Sequence, residues 1–389
     1  MNMTNMTEIK TIFNDVPFFD GAKGFSVVYL DGLFHLYFPY CHLHKAQVIH
    51  YYSNDGYSWQ GGSIVLEQFG RVDSVTAYVQ NGKIFLYVAV KNFIGNVDVK
   101  LAISRDGEDF EFCPQTVIKN TQLRDIKIFY SGGKKWIIGS EKKGELPVFY
   151  STDSFTWYKG NLKEVADDNQ IIEYLGSPSP FVAGNKTYLA YTMFGGHIAR
   201  AEINLEKGEL KVGKMVMEGY GDTIRSLMLG EGTPLVFIGL STSLIPLEVY
   251  GLEDDLGVRF YRECLKGAKI RVDNGKEENA RMPKLLVREE GILHQFEMPI
   301  EKGVSLDFGG TIIEIDENLS VVVDGSIENY GIVDRSMQEG DVLDISVIDF
   351  GNLIIVEVLD KVYAVHTDMS DRIGVKVGEK DYEYTSYKL

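Results

Sequence analysis

The 389-residue sequence is poor in cysteine, with three cysteines at positions 41, 113 and 264. They form no close pair and no Cys-x-x-Cys motif, which excludes a disulfide framework and favours a reducing compartment. Residues 1–10 lack a basic region followed by an apolar run, and no stretch approaches the length of a membrane span. We therefore expect a cytoplasmic protein without a signal peptide.

Basic residues are also scarce, since 39 lysines and arginines stand against 56 acidic residues and give a formal net charge of -17. A field of this sign repels phosphate backbones and anionic lipids. We therefore expect neither nucleic acid nor a membrane surface as a partner. Neutral or cationic small molecules remain compatible with the charge.

Cofactor and metal motifs are missing as well. The sequence contains no Gly-x-Gly-x-x-Gly before a helix, no P-loop lysine and no Gly-x-Ser-x-Gly elbow, so we expect no cofactor. Cys41, His42 and His44 lie close together, but no carboxylate is spaced to complete a metal site with them. We interpret this stretch as a solvated loop or the rim of a pocket and expect no metal.

A hairpin signature recurs about every 50 residues in the first 240 residues. Two runs of alternating apolar and aromatic residues flank a turn glycine, at Gly32, Gly82, Gly132 and Gly184, with a weaker copy at Gly230. Asp-Gly and Asn-Gly turns supply the positive φ angles that tight β-hairpins need. The spacing indicates one small sheet in each repeat.

A second signature, Ser-x-Asp followed by an aromatic residue, keeps the same register. It occurs at residues 53–59, 104–110 and 151–157. We interpret Ser53, Asp55 and Trp59 as structural, because the aspartate accepts turn amides and the aromatic ring packs between sheets.

The repeats predict an all-β fold, with a five-bladed β-propeller over residues 1–250. The alternative is a β-sandwich with coincidental spacing. The repeat is lost at residues 251–280, where we expect a connection. Short alternating strands follow at 281–389 and predict a C-terminal β-sandwich.

The residues that precede each inner strand are the candidate site, because inner strands of a propeller start around one funnel. These residues are Asp20 and Lys23, Asp73, Arg124 and Asp125, Glu173 and Ser177, and Asp222 and Arg225. Clustered carboxylates raise each other's pKa values and are typical of glycoside cleavage. The alternative for each aspartate is a structural role as a turn cap.

Several motifs resemble those of glycoside hydrolase family 32, which includes invertases, levanases and sucrose-6-phosphate hydrolases. Residues 122–136 resemble the Arg-Asp-Pro motif of that family, and residues 50–59 its His-Ala-x-Ser-x-Asp-x-x-x-Trp stretch. Residues 282–295 are similar to its junction between propeller and sandwich. The resemblance covers nearly the whole chain and implies fructosyl chemistry with retention of configuration.

The resemblance also implies roles, and it shows departures from the family pattern. The family nucleophile belongs to an Asn-Asp-Pro-Asn-Gly motif, where this chain has Asp20 beside the expected position. The family acid/base belongs to Glu-Cys-Pro, where this chain has 176–178 as Gly-Ser-Pro and Glu173 three residues upstream. Asp125 matches the carboxylate that binds sugar hydroxyls and stabilises the transition state, with Arg124 orienting it.

We therefore expect a family 32-type hydrolase of a fructosyl or other small furanosyl glycoside. Its nucleophile would be Asp20, its acid/base Glu173 and its transition-state stabiliser Asp125. Lys23, Asp73, Arg124, Ser177, Asp222 and Arg225 would contact the ligand. The alternatives are a non-catalytic carbohydrate-binding or scaffold protein on the same fold, and a glycosidase that cleaves arabinosyl or xylosyl units, similar to family 43. All three take a small carbohydrate as ligand.

Overall fold

The structure is a computed structural model that describes residues 24–42, 45–56, 59–92, 94–140, 146–165, 176–183, 186–192 and 198–219, and beyond these the strands given below. Every regular element in this part of the chain is a β-strand. None of the residues described forms a helix long and apolar enough to cross a membrane. The chain divides into two compact units, of which the first contains residues 1–217 and 224–261 and the second residues 218–223 and 262–389.

Five antiparallel sheets make up the first unit, and in each the four main strands pair in chain order. The strands of blades 1 and 2 are β1 (Ser26–Leu30), β2 (Leu33–His42), β3 (Lys45–Ser53), β4 (Gln60–Phe69), β5 (Arg71–Gln80), β6 (Lys83–Lys91), β7 (Val97–Ser104) and β8 (Glu111–Thr121). Those of blade 3 are β9 (Arg124–Ser131), β10 (Lys134–Ser140), β11 (Pro147–Ser151) and β12 (Tyr158–Asn161). A short strand, β13 (Lys163–Val165), follows blade 3. The strands of blades 4 and 5 are β14 (Gly176–Ala183), β15 (Lys186–Thr192), β16 (Ile198–Asn204), β17 (Glu209–Gly219), β18 (Ser226–Leu229), β19 (Leu235–Gly239), β20 (Leu244–Tyr250) and β21 (Gly257–Phe260).

The first strand of each blade lies beside the first strand of the next, and the series closes into a ring. Strand β1 is next to β5, β5 to β9, β9 to β14, β14 to β18, and β18 returns to β1. The predicted five-bladed β-propeller is therefore confirmed. The first strands are the inner strands around its axis.

Apolar residues fill the spaces between consecutive blades. One core cluster joins Val28 of blade 1 to Val75 of blade 2, and another joins Val99 of blade 2 to Ile137 of blade 3. Leu235 of blade 5 packs in the core of blade 1, so the ring also closes through hydrophobic contact. No blade could bury both of its faces alone, which is why the repeats must stack.

The turn glycines act as the repeat predicts. Gly32 and Gly82 have φ angles of 86° and 65°, and the residues before them, Asp31 and Asn81, are also in the left-handed region at 51° and 52°. Two consecutive positive φ angles are the geometry of a type I′ hairpin turn, which matches the twist of the strands on either side. The turns therefore set the register of β1 with β2 and of β5 with β6.

The Ser-x-Asp signature is structural, as predicted. The hydroxyl of Ser53 accepts the amide of Gly56 at 2.8 Å and donates to the carboxylate of Asp55. Trp59 is 1% exposed within the core of blade 1.

Two antiparallel sheets make up most of the second unit, the components that the predicted β-sandwich requires. Its strands are β22 (Ile270–Glu277), β23 (Lys284–Leu286), β24 (Ile292–Pro299), β25 (Val304–Phe308), β26 (Ile312–Ile315), β27 (Val321–Val323), β28 (Ser326–Tyr330), β29 (Val342–Asp349), β30 (Leu353–Val358), β31 (Lys361–His366), β32 (Val375–Val377) and β33 (Tyr382–Lys388). Both β21 and β22 fall within residues 251–280, where the sequence predicts a connection.

Candidate functional site

The inner strand of blade 2 begins with a β-bulge. Val72 pairs with Val90 and Ser74 pairs with Ala89, so Asp73 is an extra residue between two ladder positions. A bulge turns the side chain of the extra residue away from the alternation of the strand, and bulges are frequent next to active sites.

Blades 3 and 4 repeat this device. The register of β9 shifts between Arg124 and Lys127, and that of β14 shifts shortly after its first residue. Asp125 and Ser177 lie within these bulges and have left-handed φ angles of 47° and 43°. Such angles are strained for residues other than glycine, by about 1 kcal/mol. The strain therefore occurs at the predicted transition-state stabiliser Asp125 and at the predicted ligand contact Ser177.

A hydrogen bond joins the bulges of blades 2 and 3. The main-chain amide of Asp125 donates to Oδ2 of Asp73 over 3.2 Å. Burial raises the pKa of Asp73, and the neighbouring Asp125 carboxylate raises it further. The amide of Asp125 and the cations Arg124 and Lys91 act in the opposite direction. Asp73 is thus a carboxyl group that holds its proton more firmly than an exposed aspartate.

The carboxylate of Asp125 lies beside a buried cation. Oδ1 of Asp125 is 3.5 Å from Nζ of Lys127, and the Asp125 side chain is 17% exposed. This distance is that of an ion pair rather than of a well-formed hydrogen bond. Oδ1 is itself buried and receives no hydrogen bond from the described residues. Oδ1 therefore faces the ammonium of Lys127, and a sugar hydroxyl could reach only the exposed part of the Asp125 side chain.

The other predicted residues fall into two groups. Arg124 is exposed at the start of β9, and its carbonyl oxygen accepts a hydrogen bond from the hydroxyl of Ser140 at 3.3 Å. Ser177 is 4% exposed on β14, the inner strand next to β9. The structure thus brings Asp73, Arg124 and Asp125 together, with Ser177 on the adjacent blade. The remaining predicted residues, Asp20, Lys23, Glu173, Asp222 and Arg225, lie outside the described residues.

Lys127 is the site residue that the sequence reasoning missed. It is 1% exposed and lies two residues after Asp125 in an apolar strand. Alignment of the repeats on their hairpin turns contains the signal, because Lys127 falls where blades 1, 2 and 4 have serine or threonine. Among the residues described, no group of three His, Cys, Asp or Glu side chains could hold a metal ion.

The arrangement suits the recognition of a polyhydroxylated ligand. The carboxylate of Asp125, paired with the buried ammonium of Lys127, lies next to the carboxyl group of Asp73 with its raised pKa, on which the cations Arg124 and Lys91 also act. Such a set can accept hydrogen bonds from hydroxyl groups and can stabilise positive charge that develops on a sugar ring.

Comparison with known proteins gives structural relatives without a sequence match. No protein-family model matches the chain, and no curated protein is similar to it in sequence. Its fold is similar to that of sucrose-6-phosphate hydrolase from Lactobacillus gasseri, with 12% identity, a TM-score of 0.73 and coverage of 94% of this chain and 90% of that one. The GH32 beta-fructofuranosidase of Bombyx mori matches with 16% identity and a TM-score of 0.75, covering 99% of this chain and 94% of that one. Fructan 1-exohydrolase IIa from Cichorium intybus matches with 9% identity and a TM-score of 0.67, covering 97% and 96%.

These similarities concern the fold. The three solved structures are a sucrose-6-phosphate hydrolase, a GH32 beta-fructofuranosidase and a fructan 1-exohydrolase, and the matches span nearly all of this chain. Other similar structures contain sugars, among them the Bombyx mori enzyme with sucrose and the Cichorium intybus enzyme with 1-kestose. Identities of this size show a shared fold alone, and the chemistry has to be argued from the residues of this chain.

Proposed function

We propose that this protein is a glycoside hydrolase of the family 32 type that acts on a fructosyl or other small furanosyl glycoside. The observation that carries the proposal is the Asp125 carboxylate, held in a bulge of a propeller inner strand beside the buried ammonium of Lys127, with its side chain 17% exposed. The fold supports the reaction class, because the solved structures of similar fold include a sucrose-6-phosphate hydrolase, a beta-fructofuranosidase and a fructan 1-exohydrolase.

The proposed reaction proceeds in two steps. The carboxylate of Asp20 attacks the anomeric carbon of the sugar, while Glu173 gives its proton to the oxygen of the leaving group. Water then attacks the same carbon, Glu173 takes a proton from that water, and the carboxylate of Asp20 is released. Two displacements at one carbon retain its configuration.

Asp125 would bind hydroxyl groups on the ring during both steps. Hydrogen bonds from sugar hydroxyls to its carboxylate strengthen as the ring becomes oxocarbenium-like, because the ring then carries positive charge. Asp73 would contact the same sugar through its carboxyl group, one oxygen of which already accepts the main-chain amide of Asp125.

A non-catalytic sugar-binding protein is the second candidate, and one observation favours it. Where the family motif has glutamate, this chain has Gly176, and the neighbouring Ser177 is buried within a strained bulge. A chain without an acid at this point loses general acid catalysis, which contributes about 10²–10⁴-fold to the rate. Asp73, Arg124 and Asp125 could still bind a sugar.

The deciding experiment is incubation of the protein with sucrose, 1-kestose and a panel of aryl glycosides, with calorimetric binding measured in parallel. Asp125→Asn keeps the shape of the side chain and removes its charge. Asp98→Asn is the matched control, because Asp98 is an aspartate of blade 2 whose side chain accepts the amide of Asn120.

Turnover that falls at least about 100-fold in Asp125→Asn and is retained in Asp98→Asn supports the hydrolase. Saturable binding without turnover, lost in Asp125→Asn, supports the binding protein instead. Absence of both binding and turnover across the panel would overturn both candidates.

A further inference from the structure

Four inner strands can be aligned on their hairpin turns. At one buried position, the residue type in blade 3 differs from that in blades 1, 2 and 4. The position lies four residues before the last residue of the strand, which is Leu30, Gln80, Ser131 or Ala183. The residues at this position are Ser26, Thr76, Lys127 and Ser179, and their exposures are 0%, 0%, 1% and 1%. Blades 1, 2 and 4 thus carry a small hydroxyl residue, whereas blade 3 carries a lysine.

The hydroxyl groups at this position link consecutive blades. Oγ of Ser26 accepts the amide of Ala77 at 2.8 Å, and Oγ1 of Thr76 accepts the amide of Ile128 at 2.9 Å. A lysine ammonium has three donors and no acceptor, so Lys127 cannot make this bond. The scaffold therefore does not require a lysine here.

Lys127 instead reaches past blade 2 to blade 1. Its Nζ donates a 2.7 Å hydrogen bond to the carbonyl oxygen of Phe25 and lies 5.5 Å from the centre of the Phe25 ring. The same Nζ is 3.5 Å from Oδ1 of Asp125. One ammonium thus joins the strands of two blades that are not neighbours in the ring.

Burying an ammonium group is costly unless it is paired, so a buried lysine needs a compensating role. Burial lowers the pKa of Lys127, and the carboxylate of Asp125 opposes that shift. The position of Asp125 also differs from the repeat, because the aligned residue in blade 2 is Ser74. Oγ of Ser74 makes the usual bond between blades, to the amide of Ile126 at 3.0 Å. Blade 3 thus carries the charged pair Asp125 and Lys127 where blade 2 carries two hydroxyl residues.

We propose that Lys127 is the positioning residue of the site: its ammonium, anchored on the Phe25 carbonyl, holds the Asp125 carboxylate in place for the sugar and keeps it aligned with the start of blade 1. This inference rests on the proposed function. Phe25 follows the proposed nucleophile Asp20 by five residues in the sequence. Lys127 therefore couples the carboxylate that binds the sugar to Phe25, the residue that precedes β1.

The first test requires no sugar. The ammonium of Lys127 is titrated by NMR in the wild type and in Asp125→Asn. The charged groups around the pair are Asp125 itself, Asp73 on β5, Arg124 at the start of β9 and Lys91 on β6, which acts on Asp73. Loss of the carboxylate should lower the pKa of Lys127 further. An unchanged titration of Lys127 would overturn the inference, whatever the protein binds.

The second test compares Lys127→Met, Lys127→Arg and the control Lys135→Met with sucrose and 1-kestose as probes. Lys135 is also buried on blade 3, but its ammonium bonds to Gln80 and Ser154, away from Asp125. We expect Lys127→Met to weaken binding or turnover by up to about 100-fold, because a misplaced group can lose this much. Lys127→Arg, which keeps the charge, should recover part of the loss.

The outcomes separate the two proposals. Equal losses in Lys127→Met and Lys135→Met would reduce Lys127 to a packing role and overturn the inference, as would a Lys127→Arg variant no better than Lys127→Met. If the wild type neither binds nor cleaves any probe while Lys127 responds to Asp125→Asn, the proposed function fails and the coupling of the two residues stands.

Discussion

The main-chain amide of Asp125 donates a hydrogen bond to the carboxyl group of Asp73, 52 residues earlier in the chain. The bond joins the bulges of two adjacent inner strands and fixes the backbone of Asp125 in its left-handed conformation. The candidate site therefore depends on contact between blades rather than on either blade alone.

The pKa of Asp73 has a consequence for stability. Burial raises the pKa of Asp73 in the folded protein above its unfolded value, so the folded state binds the proton more tightly. The stability that this provides is present below the unfolded pKa and is lost as the pH rises through the folded pKa. Asp73→Asn should therefore be more stable than the wild type at pH 7, and the advantage should disappear in acid. Urea unfolding of both proteins from pH 3 to pH 7 measures this difference; a difference that does not vary with pH would contradict it.

A pair of buried histidines lies between blades 1 and 2. Nδ1 of His35 is 3.0 Å from Nε2 of His50, and the ring of Tyr37 stacks on His50. Burial lowers the pKa of His50 to about 4, and the charge of His35 acts in the same direction, while Asp106 opposes it. The pair is therefore neutral at neutral pH.

Acid should destabilise the propeller through His50. An unfolded histidine titrates near pH 6.5, so the unfolded state binds more protons between pH 6.5 and about 4, and the free energy of unfolding falls as the pH is lowered through this window. The loss should be roughly 3 kcal/mol at most. His50→Gln should be less stable at pH 7 but should show a flatter dependence, measured by urea unfolding at pH 7, 5.5 and 4.5. Parallel curves for the two proteins would refute this role of His50.

Gly107 should be intolerant of a side chain. A Cβ added there would lie 2.6 Å from Nδ1 of His35, and the φ angle of Gly107 is +85°. Gly82→Ala is the matched control, because Gly82 has a φ angle of +65° but no atom within 4 Å of the added Cβ. We expect about 1 kcal/mol of destabilisation from strain in Gly82→Ala and about 3 kcal/mol or more in Gly107→Ala, where overpacking adds to strain. Thermal and urea unfolding of both variants check the difference, and equal losses would rule out the steric contribution.

The Ser-x-Asp signature should contribute to stability without affecting the site. The carboxylate of Asp106 accepts the amides of Glu108 and Asp109 at 3.0 and 2.9 Å, and these bonds lower its pKa to about 2. Asp106→Ala should lose about 1 kcal/mol of unfolding free energy, as the removal of a capping side chain does. Asp109→Ala, an exposed neighbour, should be close to neutral. Binding of sucrose should be the same in both variants, so a selective loss of binding in Asp106→Ala would place the motif in the site.

The hairpins and the inner-strand carboxylates were predictable because they depend on local chemistry. Gly32 and Gly82 stand where only a positive φ angle closes the turn, and this requirement is visible in the sequence. Asp125 could be selected because it precedes a recurring apolar run. Alignment of the repeats marks Lys127 as unusual, but the sequence does not reveal its role, because its partner Phe25 is 102 residues away.

The sequence by itself determined the number of blades, their turns and the positions at which polar residues enter the inner strands, since each depends on contacts between residues close in the chain. Tertiary structure alone decided which of those residues meet. The hydrogen bond between the bulges of Asp73 and Asp125 and the reach of Lys127 to blade 1 arise only when the blades pack together, because packing brings strands about 50 or 100 residues apart into hydrogen-bonding distance.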